Sequence, residues 1–334
     1  MNASLVLPVI DPTGSGAARR AAATWASERG WGEEMVGRVA LVVTELSRNL
    51  ALHTVGGVLL LRHLRNSKSS GVEILSLDSS PGVANFQECL RDGYSTAGTS
   101  GIGLGAVSRI SNAFAVHSQL GLGTALRSEI WEKPFEAEKG SWECGAVNVA
   151  FAREPVCGDS WQEQAVRPDV LRVMIADGLG HGEFAAAASQ RACEILLANG
   201  RFRLPEVLEA MHGALRATRG AAVAVAEIDL QRQVVDYCGI GNISASIVTH
   251  EGSTSLISLN GTVGAQTRGF RLFSYAWPKN AALVMSSDGL KSQWKLSRYS
   301  GLLERHPGLV AGVLYRDYAR TTDDVTVLVV RSSL

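Results

Sequence analysis

Five aspartates stand where an acid can do chemistry. Asp177 closes the apolar run Val173-Met-Ile-Ala176 and is followed at once by Gly178-Leu179-Gly180-His181-Gly182. Asp288 closes a second such run, Ala282-Leu-Val-Met-Ser-Ser287, and Gly289 follows it. Asp323 and Asp324 open the last apolar run, Val325-Thr-Val-Leu-Val-Val330, and Asp159 stands in Cys157-Gly158-Asp159-Ser160. A short apolar run bounded by a glycine turn is the pattern of a buried strand. Each carboxylate is therefore expected at the rim of a sheet, where it can meet solvent and metal. Hard oxygen ligands gathered in this way suit magnesium or manganese and not zinc. Cations held there could activate water and neutralise anionic oxygens. No Cys-x5-Arg or Ser-His-Asp arrangement offers a protein nucleophile instead.

A second set lies in the first half. Glu45, Asn49 and His53 recur every four residues, which stacks them along one side of a helix. A solvated polar stripe has the same spacing. Downstream come Asp78-Ser-Ser-Pro81-Gly82, then the Gly/Ser/Thr-rich stretch from Asp92 through Gly101-Ile-Gly103-Leu-Gly105, then Gly121-Leu-Gly123-Thr124. A flexible loop running into a helix near Gly103 can wrap phosphates with backbone N–H groups at the helix N-terminus. It is not a Walker loop, because no Gly-Lys-Ser/Thr follows, and a long polar loop before it argues against a dinucleotide fingerprint.

The elements that must hold these residues follow from periodicity. Residues 3–10 read as an edge strand, 17–28 as a helix after a turn at Asp11–Ser15, and 32–53 as a helix with Met35, Val36, Val39, Val42, Val43, Leu46 and Leu50 on its apolar face. Strands are expected at 58–65, 72–78, 114–118 and 124–131. The charged stretch Trp131-Glu-Lys-Pro134 to Gly140 reads as a short linker with the boundary near residue 136. Beyond it, strands are expected at 142–153, 171–176, 221–229, 233–238, 245–249, 254–259, 270–276, 282–286 and 325–331. Helices are expected at 183–198, 204–217 and 308–320, and Gly158-Asp159-Ser160 reads as a turn. Strands with paired helices imply a layered α+β architecture. There is no internal repeat.

The 334 residues suffice for two domains, and 46% of them are hydrophobic. The formal net charge is zero, which argues against nucleic acid or an acidic membrane as partner. The start lacks the basic region of a secretory signal and no run is long enough to span a bilayer, so a cytoplasmic protein is expected. The five scattered cysteines form no C-x-x-C pair and fit reduced thiols; Cys157, beside Asp159, reads as a packing residue.

The ordered set Glu45, Asn49, His53, Asp78, Gly82, Gly101-x-Gly103-x-Gly105 and Gly121-x-Gly123-Thr124 resembles the GHKL ATP-binding fold of histidine kinases and anti-sigma-factor serine kinases, most of all the switch kinases of the bacterial stressosome. The likeness covers roughly residues 5–132 and implies a GHKL α/β sandwich over 1–135. It implies that Asn49 holds magnesium on ATP and that Glu45 is the general base toward a protein serine. It further implies that Asp78, with Gly82 and Thr124, receives adenine, and that Gly101, Gly103 and Gly105 form the phosphate lid. The family usually has Gly where this chain has Ser80, and a side chain there is expected to crowd the base or restrict the backbone.

Residues 141–334 resemble the SpoIIE-type branch of the metal-dependent PPM phosphatases through Gly158-Asp159, Asp177-Gly-Leu-Gly-His-Gly182, Gly239-Ile-Gly-Asn242, Ser287-Asp288-Gly289 and Asp323-Asp324-x-Thr326. This implies a compact β-sandwich flanked by helices over 136–334 that holds two Mg or Mn ions. Asp177 would bridge the ions with the Gly178 carbonyl on one of them. Asp288 and one of the pair Asp323 and Asp324, the first favoured, would complete the other, and Asp159 would act through water. His181 reads as a general acid or as a loop histidine held by a backbone hydrogen bond, and Asn242 as a residue lining the site. Arg153 and Arg172 are the basic residues nearest in sequence. Together the halves imply a partner-switching regulator. Its phosphatase would act on a phosphorylated STAS-domain antagonist, and its ATP-binding half would phosphorylate the same or a related protein. A sigma factor or a stressosome-like complex is the further implied partner, and a homodimer the implied assembly. The alternative is a phosphatase whose first half is a nucleotide-gated binding module without kinase chemistry.

Overall fold

The computed structural model describes residues 3–54, 56–66, 68–83, 86, 103–133, 141–151 and 154–333. Its contacts divide the chain into two compact units, one of residues 4–137 with 296–316 and the other of 1–3, 138–295 and 317–334. Of the expected linker at 131–140, Trp131 ends a strand and residues 134–140 lie outside the described residues.

In the first unit, the five-stranded sheet runs in the order β1 (Leu5–Val9), β2 (Gly57–Arg65), β3 (Ser70–Asp78), β5 (Gly123–Trp131), β4 (Ala113–Gln119). Helices α1 (Pro12–Ser27), α2 (Glu33–His53) and α3 (Gly103–Ile110) belong to the same unit. Helix α1 begins five residues before the expected start at residue 17. Asp11 caps it by accepting from the backbone N–H groups of Thr13 and Gly14, and Pro12 supplies a fixed φ at the first position. The apolar faces of α1 and α2 meet Leu59, Leu61, Val72, Ile74 and Leu126 of the sheet in one core. The segment 296–316 belongs here too, although it follows the Asp288 turn in sequence. It carries most of a helix, α6 (Pro307–Tyr318), in which every residue from Pro307 to Leu314 is buried. A helix buried all round is a core element. A side chain added at Gly312 would press on Leu75 and Leu77 of β3.

The second unit has two five-stranded antiparallel sheets. One runs β13 (Phe273–Ala276), β10 (Val234–Ile240), β9 (Ala221–Asp229), β8 (Val170–Gly178), β7 (Asp159–Arg167). The other runs β12 (Ser253–Ser255), β11 (Ser244–Val248), β14 (Ala282–Ser286), β15 (Val325–Ser332), β6 (Trp142–Val149). The core between them is built from alternate residues of facing strands, among them Val173, Ile175, Ala224, Tyr237, Met285 and Leu328. Met174, Ala176, Val223 and Val225 point the other way, onto helices α4 (Glu183–Ala198) and α5 (Leu204–Leu215). The architecture is α+β with a β-sandwich covered by helices.

Strand β7 corrects the reading of Gly158-Asp159-Ser160 as a turn, because Asp159 opens a nine-residue edge strand. Its sequence, DSWQEQAVR, has too few apolar residues to show a buried strand, and its burial alternates only beyond Gln162. The strands expected at 254–259 and 270–276 shrink to Ser253–Ser255 and Phe273–Ala276.

Candidate active site

In the second unit the two strands that meet at the acid cluster place it by register. Asp159, the first residue of β7, pairs directly across from Asp177 of β8. Asp177 sits one residue inside the strand end, opposite Ala222 of β9, and not beyond the rim. Gly178 is forced by packing, since a Cβ there would lie 2.0 Å from the Ala185 carbonyl of α4. Its N–H donates to the Gly158 carbonyl at 3.2 Å, which ties the two turns together.

The electrostatics are those of crowded acids, with Arg320 acting as a cation on Asp288. Asp159 is 3% exposed, and its Oδ2 is buried with no hydrogen-bond partner. Burial pushes its carboxyl up, against hydrogen bonds from Ser287 and Thr326 that pull it down. Asp177 is raised by burial and then by the charges of Asp159, Asp288 and Asp323. Asp288 is raised by burial and Asp323, while Asn242 Nδ2 donates to its Oδ2 at 2.7 Å. Among the described residues no three His, Cys, Asp or Glu side chains are already drawn together as a metal cage. Burial raises the Cys157 thiol strongly, so it is a packing residue and no nucleophile.

The candidate nucleotide residues lie in the first unit. Asp78, at the end of β3, is buried, and its Oδ1 accepts from the N–H of Ser80 at 2.9 Å and of Thr124 at 3.3 Å. Thr124 Oγ1 is hydrogen-bonded to Ser118 Oγ at 2.8 Å. Ser80 is absorbed without strain. Its φ is not positive, its N–H closes the turn on Asp78, and its hydroxyl accepts from the N–H of Gly82 at 3.4 Å. Gly82 has φ +76° and packs its Cα against the Gln119 carbonyl, where no side chain fits. On α2, Glu45 and Asn49 share a face, and Asn49 Nδ2 is buried without a partner. Gly103 starts α3 against Glu45, whose Oε2 would lie 2.5 Å from an added Cβ. Gly105 is buried on α3, and Gly101 lies outside the described residues.

A family model for stage II sporulation protein E matches residues 167–333. The chain belongs to that family. Its second half is a SpoIIE-type, PP2C serine/threonine phosphatase domain. The serine/threonine-protein kinase RsbT of Bacillus subtilis is 30% identical over 115 residues, which cover 34% of this chain and 86% of that protein. The phosphoserine phosphatase RsbX of the same organism is 21% identical over 136 residues, 40% of this chain and 68% of RsbX. A crystal structure of RsbX in complex with magnesium shares the fold at TM-score 0.50 and 19% identity, covering 60% of this chain and 99% of that one. The PP2C domain of Bacillus subtilis SpoIIE, solved with a fragment of its regulatory domain, matches at TM-score 0.51 and 17% identity over 96% of this chain and 93% of that one.

In this SpoIIE-family domain the two acids at 323 and 324 have different surroundings. Asp324 is 3% exposed and engaged on both oxygens: Oδ1 accepts from the Phe151 N–H at 2.8 Å and Oδ2 from the Gly158 N–H at 2.9 Å. Asp323 is half-buried and only turns back to accept from the Asp324 N–H. Asp324→Ala is therefore expected to orphan two amides and destabilise the metal-free domain by ~2–4 kcal/mol, read as a lower midpoint of thermal unfolding in chelator. Asp323→Ala should leave that midpoint within a degree or two.

Other sequence readings shift. His181 is held by the Glu154 carboxylate through Nδ1, not by a backbone group, and meets the Phe151 ring edge-on. Arg172 is no rim residue. It is 2% exposed and is spent on Glu227 and the carbonyls of Asn199 and Phe202. Arg153 lies outside the described residues. A basic residue beside the Gly180 turn that the sequence reading passed over is Arg219. Nothing in its local sequence marks it, because the β8–β9 register brings it there.

Proposed function

We propose that this chain is a bifunctional partner-switching regulator. Its SpoIIE-family half removes phosphate from a phosphoserine or phosphothreonine of a STAS-domain antagonist, and its first half binds ATP and phosphorylates that protein or a relative. The observation that carries the phosphatase reading is the in-register pair of Asp159 and Asp177, both raised by burial and by neighbouring aspartates, with one buried Asp159 oxygen left without a hydrogen-bond partner among the described residues. Such a set fits divalent cations, which supply the missing positive charge. Asp177 and the Gly178 carbonyl would hold one ion and Asp177, Asp288 and Asp323 the other, with Asp159 acting through water; the pair of ions supplies water activation and phosphoryl charge neutralisation when bound. Asp324, committed to two amides, would position Gly158, beside Asp159 at the start of β7.

The ATP reading rests on the first unit. Asp78 with Gly82 and Thr124 would form a base-binding rim, Ser80 fits the turn on Asp78, and among the described residues the buried Asn49 amide nitrogen has no hydrogen-bond partner. Asn49 would hold magnesium on the phosphates, and Glu45 would accept the proton of the substrate serine. The test uses the Asp177→Asn chain, so that any phosphoprotein formed survives. Labelled ATP, magnesium and a STAS-domain protein encoded beside its gene should yield label on serine or threonine. Bound ATP without label would make the first half a nucleotide-gated binding module.

Opposed activities in one chain would consume ATP to no end if both ran freely, so nucleotide should bias the phosphatase. Arg316 of α6 donates through Nη1 to the Asp78 backbone carbonyl at 2.8 Å. Two residues later, the Tyr318 carbonyl accepts from the Lys291 N–H, and Arg320 N–H donates to Gly289 beside Asp288. Saturating ATP is expected to change the phosphatase rate at least about threefold. Equal rates with and without ATP in the wild type would defeat the coupling.

A further inference from the structure

We propose that Arg219 is the phosphate-binding residue of the phosphatase half, its guanidinium taking the phosphoryl oxygens of a phosphoserine or phosphothreonine segment at the mouth of the acid cluster. The proposal rests on the phosphatase reading above and adds the substrate contact that reading lacks. Four acids make a centre that repels a phosphate monoester unless cations and a basic side chain offset them.

The position follows from register. Gly178, next to Asp177, pairs with Ala221, the first residue of β9, so the turn that ends at Gly220 lies over the exit of β8. The Leu179 N–H donates to the Gly220 carbonyl at 3.0 Å and fixes the two turns to one another. Arg219 precedes Gly220 and is exposed. Its Nη1 would lie 3.1 Å from a Cβ added at Gly180, so the guanidinium rests on the glycine turn that follows Asp177. The guanidinium carbon stands 5.0 Å from the centre of the Phe184 ring, a cation–π contact that restrains it without using its N–H donors.

Those donors are uncommitted. Among the described residues Arg219 has no carboxylate partner and no hydrogen bond, its one recorded contact being the Phe184 ring. A cation acting on Asp288 is Arg320. Arg172, the other arginine of these strands, is buried against Glu227. An arginine with a free planar fork, held on a ring beside an anion-processing centre, matches the two-oxygen geometry of a phosphoryl group. Leu179 and Phe184, 49% and 69% exposed, flank it with apolar surface on which the residues beside a phosphoserine can rest.

The experiment compares the full-length wild type with Arg219→Ala, Arg219→Lys and Phe184→Ala. It measures steady-state hydrolysis of a phosphoserine peptide with manganese, inhibition by inorganic phosphate, manganese affinity by titration, and thermal unfolding. Arg219→Ala should raise KM for the peptide and the inhibition constant of phosphate by at least about 10-fold, the scale of lost charge-assisted hydrogen bonds. Manganese affinity and the unfolding midpoint should stay unchanged. Arg219→Lys should fall between, because it keeps the charge and loses the fork, and Phe184→Ala should raise KM by less than Arg219→Ala. An active wild type whose KM and phosphate inhibition are unmoved by Arg219→Ala overturns the proposal and leaves the phosphatase reading standing. A wild type with no metal-dependent hydrolysis overturns both.

Discussion

Asp177→Asn is expected to cut phosphatase turnover by at least about a thousandfold and, in the same protein stripped of metal, to raise the unfolding temperature. The two effects have one cause. Removing a single preorganised charge partner from a dry site costs roughly 10²–10³ in rate, and Asp177 is placed to serve both cations. Without metal, that same carboxylate is a burden. Burial and the charges of Asp159, Asp288 and Asp323 raise its pKa, so its ionised form is disfavoured in the folded state. The sign follows from linkage: a carboxyl whose folded pKa lies above its unfolded one costs stability as pH rises from the ordinary carboxylate range through the folded value. At neutral pH an uncharged amide relieves that cost. A gain of ~1 kcal/mol would show as about 2–4 °C in a domain of this size. Thermal unfolding in chelator should show the rise, and saturating manganese should reverse the order, because only the wild type gains from the ion. A variant less stable than wild type in chelator would mean that the carboxylate is already neutralised by the fold.

How far the sequence carried this reading depends on what each residue reports. Asp177, Asp288 and Asp323 were legible as acids at or beside strand ends because each borders an apolar run, and a run of that kind is its own signal. Helices 183–198 and 33–53 were legible because their periodicity is long. Asp159 was legible as an acid but not as a strand residue, because β7 is an edge strand whose outer half alternates into solvent and whose inner half carries Ser, Trp and Gln. Arg219 was invisible for a different reason. Its role depends on which residue of β9 faces Gly178, a register that no local pattern encodes. The same holds for Asp324, whose two amide donors lie at 151 and 158, far away in the chain. The membership of segment 296–316 in the first unit was likewise not legible. Its apolar residues announce burial, but not against which sheet.

That segment leads to the other large effect, at Glu73. The side chain is fully buried on β3, with Arg62 Nε donating to Oε2 at 3.0 Å and Arg127 Nε to Oε1 at 2.6 Å. Gly308 of α6 packs against Oε1, at 3.0 Å from an added Cβ. Burial alone would raise this carboxyl, but Arg62 and Arg127, with a smaller part from His306, outweigh it and hold it down at about 2. Arg62 and Arg127 are themselves 9% and 4% exposed. Glu73→Ala would leave both guanidinium groups in the protein interior without their shared anion, and losing one partner of a buried ionic set costs about 3–5 kcal/mol. The loss should be local to the first unit. Hydrogen exchange is the suitable measurement, with peptides over Gly57–Arg65 and Ser70–Asp78 expected to lose protection while those over Val170–Gly178 keep it. The pH dependence runs opposite to that at Asp177. Because the folded pKa of Glu73 is depressed from 4.5 to about 2, its contribution is complete above 4.5 and is lost as pH falls toward 2. Acid should therefore loosen β2 and β3 of the wild type, and relieve repulsion in the metal-free phosphatase centre. Glu73→Gln should flatten the first response and leave the second. If protection over β2 and β3 in Glu73→Ala equals that of the wild type, the network contributes no net stability, and the apolar contacts of Leu75 and Leu77 with α6 suffice to hold that face.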